Sequence, residues 1–239
     1  SAKNLAPDCF QILLSFAECQ NLAGNMRESY ECAVQLLEKY PADVRLLKLC
    51  AQTAYAMNNL NAAEEYISRV LQQEPNSLES LLFRAKILMA KKEYIRVASL
   101  LDMYSRQDTT AKEYLLLRTQ LQYDWSKNLN AAVSTIENAL RLYPDDKDVQ
   151  LFAARLASLS YTKIAGKSAE EYADAVLQKE PDNEIALQYA ADGFVQKKNY
   201  QKAYELSSAL IARNKDDPEN LFRHVNICLE VGKKDEAWS

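Results

Sequence analysis

A chain of 239 residues carries a single histidine, His224, with apolar Val225 beside it. Metal and hydrolytic chemistry draws on clustered His, Cys, Asp and Glu side chains, because several ligands must meet within coordination reach. The five cysteines, at 9, 19, 32, 50 and 228, show no C-x-x-C spacing and make no cluster with His224. Their odd number fits no complete disulfide framework. They read as buried thiols acting as small apolar residues, which leans toward a reducing compartment. The paired carboxylates Asp145-Asp146 and Asp216-Asp217 fall at expected helix starts, where capping of free N–H groups accounts for them. Phosphate-cradling glycine loops, a G-x-S-x-G elbow and an H-E-x-x-H pair are absent. The expectation is a chain with no catalytic residues, no metal and no cofactor, whose chemistry is recognition.

The elements that would position such a surface are helical. Only four glycines occur, where average usage would give roughly seventeen. Sheet proteins need residues that tolerate positive φ in their tight turns, so this scarcity favours helices joined by short loops. Hydrophobic residues make up 48% of the chain, enough for a sizeable core. Net charge is −4 with both signs interspersed, whereas a nucleic-acid-binding groove needs a basic excess. Nucleic acid is therefore excluded as the expected partner. No apolar stretch approaches the length of a membrane span.

A long period runs through the sequence. Segments starting at Phe10, Val44, Leu78, Lys112, Lys147, Glu184 and Pro218 superpose with steps of 34, 34, 34, 35, 37 and 34 residues. The fourth position holds Leu13, Leu47, Leu81, Leu115, Gln150, Leu187 and Leu221. The eighth holds Ala17, Ala51, Ala85, Thr119, Ala154, Ala191 and Val225, and a later one holds Ser29, Ala63, Val97, Ala132, Ala169, Ala203 and Ala237. Each segment divides into two helices, as in LLKLCAQTAYAM and LNAAEEYISRVLQQE around Asn58-Asn59. Asn58 stands where other segments hold Gly24 and Gly232, residues that accept the left-handed conformation closing a helix. Pro7, Pro41 and Pro75 stop second helices, while Asp43, Ser77 and Asp182 are the expected N-caps of the next segments.

This pattern resembles the tetratricopeptide repeat (TPR) family, a unit of two helices with a large residue at position 4, small ones at 8 and 20, and proline at 32. The resemblance covers essentially the whole chain and is clearest over 44–77 and 112–146. It implies an all-α fold, an α-α superhelix: a right-handed solenoid of antiparallel helix pairs forming a single domain over 1–239. The repeats are about 10–43, 44–77, 78–111, 112–146, 147–183 and 184–217, with a partial one at 218–239. The stop at Glu236-Ala237-Trp238-Ser239 is expected to make the chain a fragment of a longer protein.

The resemblance also implies that positions 2, 5, 9 and 12 of each unit line a concave groove. Carried onto this sequence, they are Arg45, Lys48, Gln52 and Tyr55, then Glu79, Leu82, Lys86 and Met89. Next come Glu113, Leu116, Gln120 and Tyr123, then Asp148, Leu151, Arg155 and Ser158. The leucines recur at one position among Tyr, Met, Lys and Arg, a mixture of apolar anchors and charges suited to an extended peptide or partner helix. The alternative is that curvature buries these leucines against their own neighbours. The carboxylate clamp by which some TPR co-chaperones hold a chaperone tail has no matching window here. The expected function is a non-catalytic protein-interaction scaffold in the cytoplasm. Its alternative is a bacterial cell-envelope or transport-associated adaptor or ligand-binding subunit, periplasmic or lipidated.

Three irregularities stand out. The fifth unit is three residues too long, with Gln150 in the leucine position and Gly166 displaced, which predicts a longer first helix or turn around SYTKIAGKS. Lys215 replaces proline at the end of the sixth unit, and Pro218 opens the seventh. Thr109 occupies the proline site of the third unit, but Thr110 and Glu113 have capping-box spacing and predict a helix start there.

Overall fold

The computed structural model describes residues 10–237, and these form paired α-helices. They are α1 (Phe10–Leu22), α2 (Met26–Lys39), α3 (Val44–Ala56), α4 (Leu60–Gln73), α5 (Leu78–Ala90) and α6 (Tyr94–Ser105). There follow α7 (Lys112–Asp124), α8 (Leu129–Leu142), α9 (Lys147–Ser160), α10 (Ala169–Leu177), α11 (Glu184–Gln196), α12 (Tyr200–Arg213), α13 (Pro218–Glu230) and the short α14 (Lys234–Ala237). Pro7, Cys9, Trp238 and the side chain of Ala237 lie outside the described residues. The chain divides into two compact units between Thr109 and Thr110.

Several helix starts are fixed by side chains that accept from orphan N–H groups. The Asp43 carboxylate accepts from Arg45 N at 2.9 Å and Leu46 N at 3.2 Å, and the Ser77 hydroxyl accepts from Ser80 N at 3.4 Å. Asp146 and Asp217 cap α9 and α13 in the same manner as Asp43. The cap of α11 is Asn183 and not Asp182, because the helix begins one residue later than its charge pattern indicates. The carbonyl of Asp182 instead accepts from Arg213 at 3.1 Å. At α7 the cap position falls on Ala111, so Thr110 stands one residue before it. The Thr110 carbonyl accepts from the Tyr143 hydroxyl at 2.9 Å, which ties the start of α7 to the end of α8.

The turns inside the pairs reverse the chain through a left-handed residue. Gly24 (φ 82°), Asn58 (φ 59°) and Gly232 (φ 79°) occupy this place, as their sequence positions predict. Lys92, Lys127 and Lys198 adopt the same conformation at φ 60°, 52° and 58°. A Cβ at such φ crowds the following carbonyl, and glycine removes that crowding at a smaller entropic cost. Lys198→Gly is therefore expected to raise unfolding stability by about 0.5 kcal/mol. Chemical denaturation measures this, and a lowered midpoint would refute the strain argument.

In the first unit each helix packs on the next, and one core joins Leu14, Leu47, Ile67, Val70 and Ile87. The small residues sit where helices cross: Ala17, Ala51, Ala63 and Ala85 have no exposed surface. Ser29 keeps this closeness by donating its hydroxyl to the Ala17 carbonyl at 2.7 Å. Glu64 of α4 ties two further helices, receiving Lys91 at 2.6 Å and Arg96 at 2.5 Å. Burial raises its carboxyl, but these two cations outweigh burial and hold it below its ordinary value.

In the second unit Thr119, Ala132, Ala154, Ala191 and Ala203 are likewise fully buried. Gln150 replaces leucine by turning its amide to the Pro144 carbonyl at 2.9 Å. The long fifth repeat ends α9 at Ser160 and inserts a loop before α10, in agreement with the expected longer turn. Buried Ile164 anchors that loop, and its carbonyl accepts from the Tyr172 hydroxyl at 2.7 Å. His224 is packed between Ser207, at 2.9 Å from Nδ1, and Cys228, at 3.4 Å from Nε2. The Ser207 hydroxyl is also within donating distance of the Tyr204 carbonyl, at 3.1 Å.

Candidate binding surface

The first helices of the first unit carry a polar face with one aromatic centre. Arg45 pairs with Asp43 at 3.0 Å and lies over the Phe10 ring at 5.2 Å. Lys48 reaches Glu74 at 3.4 Å and Glu79 at 3.5 Å, and Gln52 is exposed beside it. Tyr55 and Phe83 meet edge-to-face at 5.6 Å, and the Lys86 ammonium stands 5.3 Å from the Tyr55 ring centre. Burial pushes the Tyr55 phenol upward. Leu82 and Met89 are 9% and 6% exposed, so they serve the core and offer no anchor at this face. For these two residues, burial against their own neighbours is the observed arrangement.

The second unit places Leu116, Gln120, Tyr123, Leu151 and Arg155 in half-buried positions. Leu151 packs on the core around Ala173 and Ala186. Arg155 approaches Asp124 at 3.6 Å and lies 5.6 Å from the Phe152 ring centre. Gln120, Tyr123 and Arg155 edge a small hollow floored by Leu156.

A much larger cleft, of about 740 Å³, opens between α11 and α13. Val195, Tyr200, Phe222, Ile227 and Leu229 give it apolar walls. Phe222 is 71% exposed and Leu229 42% exposed. Asp192, Glu219, Arg223 and Glu230 supply its charges. The guanidinium of Arg223 is held by Asp192 at 2.8 Å and by the Asn220 side-chain oxygen at 3.0 Å. Among the described residues, no group of three or more His, Cys, Asp or Glu side chains is placed to hold a metal, and no helix is long and apolar enough to cross a membrane.

Solved structures share this arrangement of helix pairs. The chain superposes on a tetratricopeptide repeat protein from Parabacteroides merdae with a TM-score of 0.68 and 15% identity, over 95% of this chain and 88% of that one. PilW, a type IV pilus biogenesis factor, gives 0.71 and 16% over 88% of this chain and 96% of its own. The Cut9–Hcn1 assembly of APC/C gives 0.82 and 10% over 95% of this chain and 45% of that one. The fold is that of a TPR solenoid. No family model matches the sequence. A DnaJ homolog subfamily C member 7 homolog of Dictyostelium discoideum is 25% identical over 150 residues, which is 63% of this chain. The chain spans 23% of that protein's length.

The TPR register explains the composition of the large cleft. Asp192 and Val195 are the ninth and twelfth residues of the sixth repeat; Glu219, Phe222, Asn226 and Leu229 are the second, fifth, ninth and twelfth of the seventh. These are the same positions that yield Arg45, Lys48, Gln52 and Tyr55 in the second repeat. The sequence expectation did not extend past the fifth repeat and so passed over these residues. The signal was available in the spacing of Glu219, Phe222, Asn226 and Leu229.

Proposed function

We propose that this chain is a non-catalytic interaction scaffold that holds a peptide or partner helix on the first-helix face of its TPRs. The observation that carries the reading is the cleft between α11 and α13, where side chains at groove positions leave a large aromatic ring and a leucine open to solvent. Such exposed anchors, rimmed by charge, are the usual composition of a recognition surface. The aromatic centre of Tyr55, Phe83 and Lys86 gives the first unit a second patch of the same kind. A photo-crosslinking residue placed at Gln52 or Asn226 should capture the partner, whereas one at Glu65, on a second helix, should not. Capture from Glu65 alone would move the interface off this face.

A second reading is an adaptor of the bacterial cell envelope, supported by the match to nearly the full length of PilW. Recovery of the native protein in the envelope fraction favours it. Recovery in the cytoplasmic fraction favours the first reading.

A further inference from the structure

The geometry of the cleft between α11 and α13 points to a cationic peptide segment with apolar side chains between its basic residues. This assignment rests on the scaffold reading above and names the partner's chemistry. Four charged side chains line the cleft, and the one cation among them, Arg223, is committed to Asp192 and Asn220. Glu219 and Glu230 are exposed and form no ion pair among the described residues. The cleft therefore presents two uncompensated carboxylates, one at each end of α13.

Between them α13 shows Phe222, Asn226 and Leu229, so the order along the helix is acid, aromatic, amide, leucine, acid. Eleven residues of helix separate the two acids by about 16 Å. An extended chain advances about 3.3 Å per residue and alternates its side chains, so two lysines six residues apart lie on one side, about 20 Å apart, and their flexible stems reach both ends. Leucines between them would cover Phe222 and Leu229, whose apolar surface is otherwise left in water. An acidic segment of the same shape would set like charges against Glu219 and Glu230.

The test uses fluorescence anisotropy with three labelled heptapeptides on the whole chain at low salt. The first is Lys-Ser-Leu-Ser-Leu-Ser-Lys, whose lysines and leucines share one side of the extended chain. The second has glutamate at both ends, and the third has serine in place of both leucines. The basic leucine peptide is expected to bind at least about tenfold more tightly than the acidic one, given two opposed charge contacts at the exposed rim. Glu219→Lys together with Glu230→Lys should invert that preference. Phe222→Ser should weaken both leucine peptides, and the serine peptide should bind weakly throughout. All three substituted residues are exposed, and unchanged circular dichroism and melting establish that the variants are folded.

Equal affinity for the basic and acidic peptides, or a preference unmoved by the double reversal, overturns the assignment. If the acidic peptide binds best and Phe222→Ser abolishes it, the cleft is a peptide site and only the charge class is wrong. Failure of every probe, with crosslinking from Gln52 intact, removes the cleft and leaves the scaffold. Self-association by sedimentation that the same variants abolish makes the occupant a second copy and also overturns it.

Discussion

Gly193→Ala is expected to destabilise the second unit by about 1–3 kcal/mol, the usual cost of forcing extra carbon into a filled interior. The sign is opposite to that of an ordinary helix position, where alanine is favoured over glycine by about 1 kcal/mol. Gly193 lies within α11 and faces the start of α10. A Cβ there would sit 2.5 Å from the Glu170 carboxylate oxygen, 2.7 Å from the Glu170 backbone nitrogen and 2.9 Å from its Cβ. The carboxylate could swing aside, but the backbone nitrogen moves only if α10 moves. At this chain length each kcal/mol shifts the melting temperature by about 2–4 °C, so thermal denaturation resolves the effect. Gly193→Val, with a branched carbon added, should be worse still. An alanine variant that melts at or above the parent would show that α10 yields freely and that the close approach is not a packing requirement.

This contact marks the boundary of what periodicity reveals. Residues whose role is set within one helix pair were legible: the Asp43 and Ser77 caps, the Gly24, Asn58 and Gly232 turns, and the small residues at the crossings. Their physics is local, since a cap or a left-handed turn depends on a few neighbouring residues. Asp182 was misread because an acid adjacent to an amide leaves two candidates for one cap, and only the backbone chooses Asn183. The left-handed lysines carried no signal, because lysine has no preference for that conformation and the repeat imposes it.

The candidate binding surface is legible in part. Register alone identifies which residues share a face, but exposure depends on what packs over them. Lys48, Gln52, Tyr55 and Lys86 remain accessible or half-buried, whereas Leu82 and Met89 at equivalent positions are taken into the core. Hydrophobicity at a groove position is thus ambiguous between anchor and core. Phe222 falls on the other side of that divide, since it stays 71% exposed beside acidic neighbours, and the proposed site uses it as its anchor.

Loss of the Lys197 ammonium is the second large effect expected, and its pH dependence separates it from a packing defect. Glu170 begins α10 with a side chain only 4% exposed, and it receives Lys197 and the Ser168 hydroxyl. Burial raises its carboxyl, yet these donors outweigh burial and hold it below its ordinary value. Lys197→Met leaves a buried charge without its cation, which costs about 3–5 kcal/mol at fully enclosed sites. Lys197 itself is 51% exposed, so solvent replaces part of the interaction and a loss of about 1–3 kcal/mol is expected. A carboxyl depressed on folding contributes stability above its unfolded pKa and loses it as pH falls through the folded one. The gap between parent and variant should therefore be full at neutral pH and close in acid, as Glu170 becomes protonated in both. Adding Glu170→Gln to Lys197→Met should recover much of the loss at pH 7, because it removes the stranded charge. Urea titrations at neutral and acidic pH measure all of these quantities. A gap that persists unchanged into acid, or a double variant no better than the single, would assign the effect to lost packing by the lysine stem and not to its charge.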